Sequence, residues 1–182
     1  ACELVVASDI VTDTDTLRHA DIVLPALGWG EKDGTVTNSE RRISRQRAFL
    51  PIPSEARADW AIIAEVAQRM GYEGFDYSHQ REVFDEHASL SAQANSAGGV
   101  PRAFHIGGLA GLSAAAYEGS APVQWPLPVA AGSGDARLFA DGRFAYADGR
   151  ARFVPTPARA PVHAVDGDYP LVLNTGRVRD QW

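Results

Sequence analysis

Four polar stretches of this 182-residue chain stand out by residue type and place, two of them following expected strands, where a ligand can be held. Ser8-Asp9 closes a short apolar run, Leu4-Val5-Val6-Ala7, so the Asp9 carboxylate stands at the end of an expected strand. There it serves as a turn acceptor or as a grip on a donor-rich edge such as a ribose or a guanine. Glu31-Lys32-Asp33-Gly34 is a charged turn that follows a second apolar run, Ile22-Val23-Leu24, stopped by Pro25. Lys32 is the one lysine among 17 basic residues, a compact ammonium in a chain that otherwise uses the planar arginine fork. An arginine-biased composition is the plainer account of that count. Asp59 opens a strongly periodic apolar segment and suits the positive end of a helix dipole. Thr175-Gly176-Arg177 begins a polar loop that runs on to Trp182.

Other chemistries are missing from this sequence. Cys2 is the single cysteine, so no internal disulfide and no cysteine-held cluster can form within this chain alone. His19, His79, His87, His105 and His163 match no zinc spacing. There is no nucleophile elbow, phosphate-binding P-loop or zinc-protease motif, and so no recognisable catalytic or metal-ligating set. A net charge of −6 and a pI near 5.3 speak against a nucleic-acid footprint. No apolar run approaches the roughly 20 residues of a membrane span.

The elements that must position these groups follow from patterning. Both early apolar runs are of the kind expected for strands buried on both faces, joined through a short helical turn at Leu17–Ala20. That order implies a parallel pair with a right-handed crossover. A strand opening into a Gly-containing polar loop is where open α/β sheets place ligands. Arg41, Arg42, Arg45 and Arg47 fall in an extended polar segment that reads as a solvated strand edge, with Arg41 and Arg42 the exceptions if any face phosphates.

Residues 59–70 have the clearest helical period, with Gly71 placed as a C′ residue. Gln80–Ala92 reads as a second helix and Leu112–Glu118 as a shorter one. Two Asp-Gly turns, at Asp141 and Asp148, predict a small β-meander over 137–154. A proline-rich linker follows, and Tyr169–Asn174 starts a new strand. Both ends read as cut, because the chain opens almost inside a central strand and its last 14 residues cannot bury a core.

Six blocks in order resemble molybdopterin oxidoreductases of the dimethyl-sulfoxide-reductase family: SDIVTDTDT, ADIVLP through EKDGTVTNSERR, ARADWAIIAEVAQRMG, YEGSAPVQWPLP, RLFADGRFAYADGRARFV and YPLVLNTGRVRDQW. Within the family the likeness is to bacterial molybdenum nitrate reductases, the assimilatory type first. The resemblance implies an α/β fold in three pieces. Residues 1–92 would be the C-terminal part of a partial parallel, Rossmann-like domain that binds molybdopterin guanine dinucleotide. Residues 93–168 would be a loop-rich connection containing the meander, and residues 169–182 the start of a C-terminal β-barrel-like domain.

It further implies a longer enzyme that carries a molybdenum bis-molybdopterin guanine dinucleotide and a [4Fe–4S] cluster and reduces nitrate to nitrite. The cluster and molybdenum ligands of that enzyme are not in this chain, so the chain alone is expected to be inactive. Carried over position by position, the cofactor contacts are Ser8, Asp9, Lys32, Asp59, Thr175, Gly176, Arg177 and Trp182. Which of Asp9 and Asp59 takes the guanine stays open. The implied partners are nitrate and a flavoprotein or other electron-donor protein, and the implied compartment is the cytoplasm, with the periplasm as the alternative. A formate dehydrogenase catalytic subunit is the rival within the family. A non-catalytic iron–sulfur electron-transfer subunit on the same scaffold is the rival outside it.

Overall fold

Two short strands lie side by side at the start of the chain, β1 (Val6–Asp9) and β2 (Ile22–Pro25). They run parallel in the register Val6↔Ile22 to Asp9↔Pro25, as the strand, turn, strand order predicts. The crossover is a single 3₁₀ turn, Leu17–His19, started by Thr14, whose hydroxyl accepts from Leu17 N at 3.2 Å. Its one buried side chain is Leu17. The chain is seen in a computed structural model that describes residues 2–53, 55–96, 102–129, 137–174 and 176. The chain divides into two compact units, Ala1–Arg150 and Ala151–Trp182.

In the first unit a second sheet follows. Strands β3 (Gly34–Thr37), β4 (Arg42–Gln46) and β5 (Val123–Gln124) are antiparallel in the order β3-β4-β5. The β3–β4 hairpin turns at Asn38, whose side chain accepts from the backbone of Glu40 and Arg42, both at 3.0 Å. Arg41 takes a positive φ of 65° in that turn. The core sits behind this sheet. Ile43, Ala88 and Ile106 form its centre, with Phe84, Phe104, Leu109, Val123 and Trp125 packed around them.

The helices fall close to their expected places: α1 (Asp59–Arg69), α2 (Gln80–Ser96) and the short α3 (Ala114–Glu118). Gly71 is the C′ residue of α1, at φ 83°, a conformation that an L side chain resists. Ser113 caps α3 by accepting from Ala116 N. Buried Ser91 of α2 donates to Ala88 O and accepts from Ile106 N, which stitches the 104–109 segment onto the helix.

Four expectations need correction. The parallel strands are not buried on both faces, since Val6, Ile22 and Val23 are 42–50% exposed. The arginine run is not a solvated edge, because β4 carries Ile43 and Arg45 on one inward face. Ile106, Tyr117 and Leu127 are buried, and the first unit closes at Arg150.

The predicted meander over 137–154 is absent. Both Asp-Gly turns form, with Asp141 and Asp148 accepting from Arg143 N and Arg150 N at 3.0 Å. The runs between them close on themselves through Phe144 N to Gly149 O and Gly149 N to Tyr146 O, leaving too few residues for a ladder. In the second unit, Tyr169–Asn174 is not a strand. Leu171 and Leu173 are 86% and 91% exposed and meet no pairing partner among the described residues of that unit.

Candidate functional site

The site begins where the parallel strands end. Asp9 and Pro25 are register partners, and one residue on, Ala26 N donates to Asp9 O at 3.0 Å. Ala26 also forms a parallel bridge with Arg57, through Leu27 N to Arg57 O and Arg57 N to Pro25 O. The 57–59 segment therefore leaves the sheet beside β2 and in the same direction. Asp59 begins α1 two residues later. Three chain segments thus deliver Asp9, the 26–33 loop and the amino end of α1 to one sheet edge, the carboxyl edge, where α/β sheets hold ligands.

Across that edge Lys32 reaches Asp59, with Nζ to Oδ2 at 2.9 Å. Their side chains are 31% and 55% exposed. An ion pair this wet contributes roughly 0–1 kcal/mol to stability. Folding alone therefore gives little reason for the lone lysine to stand there. A ligand charge can take over Lys32 without a large loss of stability. Asp59 does not cap its own helix: the N-cap is Ala58, without a side-chain cap bond, and the Asp59 carboxylate faces Lys32 instead.

Lys32 is held in place by its neighbours. Glu31 turns back so that its carboxylate accepts from Gly28 N at 2.6 Å, while its own N–H donates to Gly28 O. Gly30 O accepts from both Phe49 N and Leu50 N at 2.9 Å. A Cβ on Gly30 would sit 2.8 Å from Leu50 and 2.9 Å from Phe49. Gln46 donates its amide to Trp29 O at 2.6 Å. Asp33 pairs with Arg45 at 2.6 Å. The three charged residues of one turn thus go to three different partners, and the middle one faces the sheet edge.

Asp9 is a turn acceptor: its Oδ1 takes Ile10 N at 2.7 Å and Val11 N at 3.3 Å. A carboxylate oriented by its own backbone keeps further lone pairs for a second donor. Ser8, beside it, is exposed. Gly176 is exposed and lies in the second unit, whereas Thr175, Arg177 and Trp182 lie outside the described residues. Sequence reasoning thus paired two of its choices without foreseeing their contact. It missed Arg45, which is the most deeply buried charge near the turn.

The donor set has a clear chemical bias. One ammonium beside a Gly-containing loop suits a phosphate or diphosphate, and an oriented carboxylate suits a donor-rich base edge. Among the described residues no three of His, Cys, Asp or Glu gather as metal ligands. A cavity of about 660 Å³ between Leu24, Arg57, Ile62 and Arg69 contains none of the expected contacts, and both of its arginines are paired with Glu65.

Residues 1–69 match the molybdopterin oxidoreductase family. Relatives extend the likeness to that family over the whole chain. A nitrate reductase of Klebsiella oxytoca is 51% identical over 182 residues, covering 100% of this chain and 20% of the relative. The assimilatory nitrate reductase catalytic subunit of Bacillus subtilis is 33% identical over 93% of this chain and 22% of its own length. The alpha subunit of an F420-dependent formate dehydrogenase of Methanococcus maripaludis is 36% identical over 91% of this chain and 22% of its own. The chain thus spans about a fifth of the length of these relatives. The family matched by residues 1–69 implies a molybdenum–pterin cofactor, and the donor set at the sheet edge is compatible with one. No helix of the described residues is long and apolar enough to cross a membrane.

Proposed function

We propose that this chain is a cofactor-binding part of a molybdenum nitrate reductase that reduces nitrate to nitrite. The Lys32–Asp59 contact at the carboxyl edge of β1 and β2 carries the reading. It joins two residues selected separately as cofactor contacts, on an edge they share with Ser8 and Asp9. The cofactor class is a molybdopterin guanine dinucleotide, and when bound it supplies the oxygen-atom and electron chemistry at molybdenum.

The chain's own residues bind and orient. Lys32 faces the diphosphate as a positive point charge. Asp9 or Asp59 accepts from the N1–H and N2–H₂ edge of the guanine, with Ser8 beside it. Thr175, Gly176, Arg177 and Trp182 complete the proposed set of cofactor contacts. A [4Fe–4S] cluster, a flavoprotein or similar electron donor and a cytoplasmic setting complete the proposal for the whole enzyme.

Greater identity to a nitrate reductase than to the formate dehydrogenase subunit favours nitrate as the substrate. The test is to purify the full-length protein and measure molybdenum, guanine nucleotide, nitrate reduction with reduced viologen and formate oxidation. The reading expects the first three and no formate oxidation. Formate turnover without nitrate turnover assigns the rival substrate, and absence of both molybdenum and guanine nucleotide overturns the cofactor assignment.

A further inference from the structure

Arg45 lies on β4, away from the sheet edge, with its side chain 1% exposed. Burial works to lower its pKa, and the hydrogen bonds it donates to Asp33 and Glu118 more than reverse this, so it stays a cation. Its contacts run in two directions. Toward the Lys32 turn, Nη2 donates to Asp33 Oδ1 at 2.6 Å and Nη1 donates to Gly34 O. Toward α3, Nη2 meets both oxygens of Glu118 at 3.0 Å, and the guanidinium lies 4.2 Å over the Tyr117 ring. Tyr117 is itself 1% exposed, and Arg47 donates to Glu118 O, so the α3 end is a fixed anchor.

The backbone between these contacts carries Lys32. Asp33 and Gly34 directly follow it, and Thr35 is the register partner of Arg45. A planar fork with five donors in fixed directions holds two carboxylates and a carbonyl in one set geometry, whereas an ammonium is a point charge on a flexible stem. We propose that Arg45 is a positioning residue that, through Asp33, fixes the turn presenting Lys32 to the anionic part of the cofactor. This rests on the reading of Lys32 as a cofactor contact. Arg45 itself stays buried behind the turn and touches no ligand.

The experiment uses the full-length enzyme and measures molybdenum and guanine nucleotide per polypeptide together with thermal stability. Four variants are compared: Lys32→Ala, Asp33→Ala, Arg45→Met and the double variant Lys32→Ala/Asp33→Ala. Asp33→Ala is the deciding one, because Arg45 keeps Glu118 and Tyr117 and the fold is retained even if Arg45→Met fails to fold. Lys32→Ala and Asp33→Ala are each expected to lower cofactor content by roughly threefold or more, and the double variant to fall no further than Lys32→Ala alone. Wild-type content in Asp33→Ala, or a double-variant loss equal to the product of the two single losses, overturns the positioning role and leaves the Lys32 reading standing. Wild-type content in Lys32→Ala overturns both.

Discussion

Lys32 Nζ and Asp59 Oδ2 stand 2.9 Å apart although 27 positions separate the two residues in the chain. The contact exists because the 57–59 segment leaves the sheet beside β2, which brings the amino end of α1 up to the loop that follows Pro25. It is too exposed to hold the fold together, and it lies where strands of an α/β sheet present ligands. Lys32 can therefore exchange a carboxylate for a phosphate without disturbing the elements that place it.

Replacing Asp59 by Asn in the full-length protein should change stability by no more than about 1 kcal/mol, because the carboxylate neither caps α1 nor is deeply buried. Cofactor content should fall all the same, since Lys32 loses its orienting partner. Thermal melts of the protein beside molybdenum analysis check this. A large stability loss would make the pair structural.

Two of the site residues were legible in the sequence for physical reasons. A single lysine in an arginine-rich chain is a compositional anomaly, and an acid before an apolar period of 3.6 marks a helix start. Arg45 was hidden because four arginines in seven residues resemble a solvated edge. The available signal was period 2: Arg45 stands two residues from buried Ile43, so a strand there turns both to the same face. The parallel pair and the three helices followed from patterning. The β3–β4–β5 sheet did not, because its strands are short and polar and β5 is supplied from about 80 residues away, by Val123 opposite Ile43.

Gly107→Ala should destabilise the first unit by about 1–3 kcal/mol through overpacking. The new Cβ would lie 2.7 Å from Ala92 Cβ on α2 and 2.8 Å from the His105 ring, and the helix cannot yield as a flexible chain end would. Thermal unfolding reads this directly, and an unchanged midpoint contradicts the packing of the 104–109 segment on α2.

Glu65 and Glu82 should titrate below the ordinary glutamate value. Glu65 is held down by hydrogen bonds from Arg69 and the charge of Arg57, and Glu82 by hydrogen bonds from the Ser78 backbone and hydroxyl. A folded-state pKa below the unfolded one gives a stabilisation that is present above the unfolded value and lost as pH falls through the folded one. Each contribution is accordingly lost on acidification below about pH 4.5. Side-chain carboxyl NMR titration checks both, and a midpoint at or above the ordinary value contradicts the pairing seen here.

Expressed by itself, this chain should show no nitrate reduction with reduced viologen, since it spans about a fifth of its relatives and the resemblance puts the cluster and molybdenum ligands outside it. Measurable turnover would place a redox centre within it and require a different account.

The central claim is that Lys32 holds the anionic part of the cofactor, and the most direct measurement is molybdenum and guanine nucleotide per polypeptide in full-length Lys32→Ala beside the wild type. The account predicts that both fall together while the protein stays folded. Wild-type amounts of both in a folded Lys32→Ala protein would contradict it and return Lys32 to an ordinary surface turn.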